Sequence, residues 1–239
     1  MNIENKTIIK DDVVMFENFL TEEECKSVLA YWEHSVEKGT LPWQPISFYE
    51  SYASNLPNDD DVTQFGLPRS FFEDLEKNIQ LATEVAKGGG MKKVSYHAQK
   101  WIPGAFASFH SDNSTDGVYN AFERSKWATF LYLNDNFTGG ALNFKDQPIK
   151  IQPRTGMLVA FNGGDHNQHE VEVVEDGIRY TIGSFWDYIE SEYSEEKMAQ
   201  WAEEIRLVRE QQSEQHKEWE EMKERGERLQ PGPKGDKNE

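Results

Sequence analysis

Hydrophobic and polar positions change rhythm twice along this chain. The first ninety residues join a short apolar run, Val13-Val14-Met15-Phe16, to two stretches of helical spacing. In the first stretch Cys25, Val28, Leu29 and Trp32 recur at steps of three and four. Thr21 followed by Glu24 has the form of a capping box, so a helix is predicted to start at Thr21. In the second, Phe71, Phe72, Leu75, Ile79 and Ala82 share one face of a helix predicted over about Arg69 to Ala86, which Gly88-Gly89-Gly90 stops. Between them, residues 41–69 hold four prolines and the run Asn58-Asp59-Asp60-Asp61. That composition predicts irregular strand and loop, long enough to form a lid or a solvated excursion.

From Lys92 to Tyr188 the pattern becomes short alternating or apolar runs divided by turn clusters. The runs are Val94–Ile102, Trp127–Leu133, Gly140–Phe144, Ile149–Gln152, Gly156–Phe161, His169–Val174 and Arg179–Tyr188. Turns are predicted at Pro103-Gly104, Asn134-Asp135-Asn136, Thr138-Gly139-Gly140, Pro153 to Gly156, Gly163-Gly164-Asp165 and Asp176-Gly177. Many short strands with regular turn signals predict a mainly β fold with flanking helices, best fitted by a jelly roll. Arg179–Trp186 is expected to be the hairpin partner of the strand that starts at His169. Beyond Glu192 the chain turns helical and charged. Met198, Trp201, Ile205, Val208, Gln212, Gln215, Trp219 and Met222 form a heptad seam, weakened by its two glutamines. This long C-terminal helix either packs on its own domain or joins two chains as a homodimer. The expected division is residues 1–190, a helical extension over 191–229, and a disordered Pro/Gly-containing tail over 230–239.

Composition narrows the function classes. The formal net charge is −18. Residues 191–239 supply 14 of the 43 acidic and 9 of the 25 basic side chains, so most of the excess lies on residues 1–190. Such a surface argues against nucleic acid and anionic membranes as partners, and it suits a neutral or basic peptide. No apolar run approaches the ~18 residues of a membrane span, and the N-terminus lacks the basic-then-apolar pattern of a secretion signal. Cys25 is the single cysteine, which excludes an intrachain disulfide and a cysteine-type zinc site. A reducing, cytoplasmic location is the expectation.

The candidate chemistry is a set of metal-binding residue types. His110 and Asp112 at i, i+2 on an extended segment point to one face. His169, from a distant strand, can complete the two-His, one-carboxylate face of a non-heme Fe(II) oxygenase, which leaves positions free for oxygen and a co-substrate. His166 is the competitor for that last ligand, with His169 favoured because the valine-rich strand starts there. His34, His97 and His216 read as ordinary core or surface histidines. Arg179 opens a largely apolar strand, and its charge would be costly to bury without an anion such as a carboxylate.

These residues, together with Thr138-Gly139-Gly140-Ala141-Leu142-Asn143-Phe144 and Pro153-Arg154-Thr155-Gly156 leading into Val159-Ala160-Phe161, resemble the prolyl 4-hydroxylase group of Fe(II)- and 2-oxoglutarate-dependent oxygenases. The opening Phe19-Leu20-Thr21-Glu22-Glu23-Glu24-Cys25 is similar to the group's N-terminal element. The resemblance implies a double-stranded β-helix. It implies Fe(II) on His110, Asp112 and His169, and 2-oxoglutarate paired with Arg179 and Tyr132, with Leu142 lining the pocket. O2 is the oxidant, and ascorbate a reductant the group often uses. Asp112 favours hydroxylation, since halogenating relatives lack that carboxylate. Where the group often has a tyrosine before the first histidine, this chain has Lys100 and Trp101, and Trp101 could still pack against the co-substrate.

The implied reaction is hydroxylation of a proline-containing peptide, with Trp186 or Phe185 lining the substrate side. Two alternatives stay open: a hydroxylase of a free amino acid or other small metabolite, and an inactive jelly roll that binds peptides and assembles through its tail. Gln230-Pro231-Gly232 has the X-Pro-Gly form and raises self-modification of Pro231 as a further expectation.

Overall fold

The computed structural model describes residues 1–10, 12–46, 49–57, 59–113 and 123–226. Pro231 and its triplet lie outside them. The chain opens with β1 (Lys6–Lys10) and β2 (Val13–Phe16), followed by α1 (Glu22–Glu37). The Thr21 capping box forms as predicted: its hydroxyl accepts from the Glu24 N–H, and the Glu24 carboxylate accepts from the Thr21 N–H. Next come β3 (Gln44–Pro45), β4 (Tyr49–Asn55) and α2 (Phe71–Lys87). Gly88, at φ 81°, ends α2 in the left-handed conformation that glycine adopts without penalty. The remaining strands are β5 (Met91–His110), β6 (Trp127–Tyr132), β7 (Thr138–Gly139), β8 (Leu142–Phe144), β9 (Lys150–Ile151), β10 (Leu158–Asn162), β11 (His169–Val171), β12 (Val174–Asp176) and β13 (Arg179–Tyr188). A single long helix, α3 (Glu195–Glu224), follows.

The hydrogen-bonded order is β1-β2-β10-β6-β13-β5-β11-β8-β9, all antiparallel where the ladders are described, with β4 and β3 added beside β5. This is the double-stranded β-helix, and β5 is its seam. Met91 to Trp101 of β5 pair with β13, whereas Ala107 and His110 pair with β11 in the facing sheet. The turn predicted at Pro103-Gly104 does not reverse the chain. Gly104, at φ 97°, bends the strand from one sheet to the other. Pro103, which has no N–H to donate, falls just past the Arg179–Trp101 pair where the β13 ladder ends.

Two further expectations are corrected. Arg179–Trp186 is not the hairpin partner of the His169 strand, because β11 pairs with β5 and β8 while β13 pairs with β5 and β6. The expected His169–Val174 run divides into β11 and β12, and β12 leaves to pair with β7. From β10 to β13 successive strands change sheets, so sequence neighbours with a turn between them need not be ladder neighbours. Residues 41–69 hold strand and loop, as their composition predicts. β4 pairs with β5 from Phe106 to His97 and buries Ser51 and Ser54. A 3-10 turn over Asp60–Phe65 then packs on α1, where the Tyr31 hydroxyl donates to Asp59 at 2.9 Å.

The strands divide their side chains between two cores. Leu131, Leu158, Ile182 and Trp186 face outward, under Val28 and Trp32 of α1 and Phe72, Leu75 and Ile79 of α2. Tyr132, Leu142, Phe144, Val159 and Phe161 face into the barrel. Alternation along β10, from Leu158 to Phe161, serves both cores at once. The start of α3 is tied down: Trp201 is buried edge-on against Tyr193, whose hydroxyl donates to the fully buried Asp187 at 3.2 Å. Farther along, His216 meets Tyr52 of β4 edge-on with ring centres 5.7 Å apart.

Trp186 sits at the centre of the outer core, fully buried, with its indole N–H on Thr129 at 3.0 Å. Trp186→Ala is expected to cost about 3–5 kcal/mol of stability, chiefly from the cavity and also from the lost indole bond to Thr129. Urea unfolding of metal-free protein checks this.

Candidate metal centre and carboxylate pocket

β5 ends at His110 and β11 begins at His169, and the two residues stand directly opposite in the ladder. Asp112 follows His110 by two positions. The three side chains converge, with their donor atoms all within 4.8 Å of one another. Nε2 of His110 lies 3.6 Å from one Asp112 oxygen, and Nε2 of His169 lies 3.6 Å from the other. Each ring has its second nitrogen on a backbone carbonyl: Nδ1 of His110 on Ser108 at 2.8 Å, and Nδ1 of His169 on Asn167 at 3.0 Å. A carbonyl only accepts, so both rings carry their proton on Nδ1 and turn a bare Nε2 inward.

Without an ion, the electrostatics favour that neutral form for His169 and oppose it for His110. Burial presses the His169 ring down to about 4, against the pull of Asp112. For His110 burial also lowers basicity, but the Asp112 carboxylate and the Ser108 carbonyl outweigh it and hold the ring above its ordinary value. Oδ2 of Asp112 is buried without a hydrogen-bond partner among the described residues. Two neutral imidazoles and one carboxylate on one side of an ion are the ligand set of non-heme iron.

Backbone packing holds the cluster. Phe161 meets the His169 ring edge-on at 4.6 Å. Gly163 runs against the Asp112 segment: its carbonyl accepts from the Asn113 N–H at 2.9 Å, and a Cβ there would lie 2.6 Å from the Ser125 carbonyl and 3.0 Å from Cβ of Asp112. The Ser111 hydroxyl donates to Asp165, tying the two ligand-bearing loops together.

Arg179 occupies the same cleft and is 1% exposed. Its guanidinium lies 5.0 Å from the ring centres of both Trp101 and Tyr132. One nitrogen approaches the Tyr132 hydroxyl at 3.5 Å, while Nε and Nη1 have no partner among the described residues. Burial lowers the basicity of Arg179 and raises the pKa of Tyr132. A desolvated cation with open donors is costly unless an anion meets it, and a planar fork suits a carboxylate.

The cleft brings together most of the residues read from the sequence: His110, Asp112, His169, Arg179, Trp101, Leu142 and Phe185. Tyr132 reaches it through Arg179. Trp186 does not, because it points from β13 to the opposite face from Phe185. His166 is also excluded, half-exposed on Asp12 at 2.9 Å. Ala107, Phe130 and Val171 complete the lining. Period two counted back from Tyr132 and forward from His169 would have found Phe130 and Val171.

Residues 95–187 match the 2OG-Fe(II) oxygenase superfamily. Prolyl 3-hydroxylase 1 of Gallus gallus is 34% identical over 85 residues, 34% of this chain, and prolyl 3-hydroxylase 3 of Mus musculus is 36% identical over 96 residues, 38% of it. The matched segment spans only 12% of either relative. Among solved structures, a Pseudomonas putida prolyl-4-hydroxylase covers 74% of this chain and 92% of its own at a TM-score of 0.55 and 19% identity. A Trichoplax adhaerens prolyl hydroxylase, in complex with a hypoxia inducible factor oxygen degradation domain peptide fragment, covers 74% and 84% at a TM-score of 0.59 and 16% identity. The fold of this chain is similar to that of these prolyl hydroxylases, and its matched segment is similar to the 2OG-Fe(II) oxygenases. The residues fit the group's Fe(II) and 2-oxoglutarate, through the partnerless Asp112 oxygen and the open donors of Arg179.

Arg179→Met should raise the stability of ligand-free protein by about 1–4 kcal/mol, because an unpaired buried charge gives way to an apolar chain. The same variant should lose 2-oxoglutarate binding; thermal unfolding and calorimetry read the two effects. Gly163→Ala should displace the Asp112 segment and weaken Fe(II) or Mn(II) affinity about ten-fold, measured by titration of folded protein.

Proposed function

We propose that this chain is an Fe(II)- and 2-oxoglutarate-dependent dioxygenase that hydroxylates prolyl residues in a peptide or protein. The observation that carries the reading is the shared cleft of the His110–Asp112–His169 cluster and the open, buried Arg179. A peptide-binding module needs neither. The prolyl hydroxylases among its relatives, one of them solved with a peptide, support the substrate class.

When bound, Fe(II) with 2-oxoglutarate and O2 supplies the oxidation of a C–H bond to C–OH, coupled to conversion of the oxoacid to succinate and CO2. The chain's part is orientation and exclusion of water. His110, Asp112 and His169 would hold the metal at the edge of the cleft. Arg179 takes the far carboxylate of 2-oxoglutarate in its fork. Its contact on the Tyr132 oxygen leaves that hydroxyl's own proton to donate to the same carboxylate. Trp101 and Leu142 flank the co-substrate. Phe130 and Phe185, edge-on at 6.1 Å, make an apolar wall for a prolyl ring. The acidic surface favours a neutral or basic peptide.

Succinate formation with Fe(II), 2-oxoglutarate and ascorbate, with and without Pro-rich and X-Pro-Gly peptides, tests the proposal. Peptide-stimulated turnover with a gain of one oxygen on proline is expected, and His169→Ala should lose both. Fragmentation spectra of the product assign the hydroxylated carbon. Turnover that oxidises no peptide would redirect the substrate to small metabolites. An iron-loaded protein without turnover would overturn the enzyme reading.

A further inference from the structure

We infer that Gln147, in the connection between β8 and β9, is a positioning residue for the metal ligand His169; the inference rests on the metal-centre reading above. Gln147 touches neither ligand nor cleft. Its amide nitrogen donates to Oδ1 of Asn167 at 2.8 Å and to the His166 carbonyl at 3.1 Å. Asn167, which is 1% exposed, donates its own amide to the Asn162 carbonyl at 3.0 Å. That bond to a backbone acceptor fixes which end of the Asn167 amide faces Gln147. The Asn167 carbonyl in turn accepts the Nδ1–H of His169 at 3.0 Å. Gln147 thus braces from outside the turn over Asp165–Asn167, and that turn sets the tautomer and the rotation of the imidazole.

The same connection grips the next residue as well. The Lys145 N–H donates to the Gln168 carbonyl at 2.8 Å, and Phe144 packs on the His169 ring with centres 6.0 Å apart. A second observation sets Gln147 apart from an ordinary packing residue. Its Oε1 is buried with no hydrogen-bond partner among the described residues, a cost that a Met or Leu of similar size would avoid. The amide is therefore kept for what its nitrogen holds. Released from it, the Asn167 side chain keeps only its bond to Asn162, and the turn keeps only its backbone bonds, such as the Asn167 N–H on the Gly164 carbonyl. The Asn167 carbonyl can drift, and the imidazole can rotate its Nε2 off the direction of Asp112.

The test uses the full chain and Co(II), a visible reporter of coordination, with wild type, Gln147→Met, Gln147→Glu and His169→Ala. Gln147→Met keeps length and volume and removes the donors. Gln147→Glu keeps the shape and sets a carboxylate against two acceptors. Both should bind Co(II) about 10–100-fold more weakly than wild type, with an altered visible absorption spectrum and an unchanged fold by circular dichroism. Unchanged affinity and spectrum in both variants would overturn the inference, as would a lower melting temperature of metal-free protein with metal binding intact, which marks packing alone. Should wild type and His169→Ala bind Co(II) alike, the metal centre itself fails, and the inference with it.

Discussion

One backbone register governs this molecule. His169 stands opposite His110 where β11 meets the far end of β5, and a slip of one residue would turn either side chain to the other face of its sheet. That register exists only because β5 bends at Gly104 and continues into the second sheet. The one strand therefore carries Trp101 beside the guanidinium and His110 beside the metal ligands. β13, paired along the first half of β5, brings Arg179 to the same cleft. The barrel's closure and the assembly of the site are one event.

The site concentrates polar groups that the fold leaves unsatisfied. Oδ2 of Asp112 and two nitrogens of Arg179 are buried in one cleft without hydrogen-bond partners among the described residues. Thr181 on Gln99, Trp186 on Thr129 and Tyr193 on Asp187 show that this chain can satisfy a buried donor where only structure is at stake. Open donors and acceptors of opposite sign in one cleft match a cation and a dicarboxylate together. Around them, rigidity comes from carbonyl acceptors on each Nδ1, from aromatic edges on His169 and from the glycine contact at 163.

Much of this could be read along the chain. The Thr21 cap, the α2 face and its glycine stop, and the short β runs depend on neighbours within a few residues, and local sequence encodes them directly. The ligand set was legible because its residue types are rare in such company and because the flanking motifs resemble a known group. Distinguishing His169 from His166 needed only the start of a strand. Phe185 and Trp186 were not separable: both are large aromatics on a buried strand, and sequence gives the alternation but not which face looks into the barrel.

Periodicity pointed to a β-rich core between helices, and residue types together with the resemblance pointed to two histidines, Asp112 and Arg179 meeting around a metal and an anion. Tertiary structure decided which strands pair, because ladder partners in a double-stranded β-helix are remote in sequence and are chosen by sheet closure rather than by the intervening turn. It turned the stretch before α2 into an edge strand of the main sheet, carried β5 through its Pro-Gly bend, and sent Trp186 to the outer core. Each of these outcomes was settled by the free energy of burying one face against a particular neighbour, and that neighbour is absent from the local sequence.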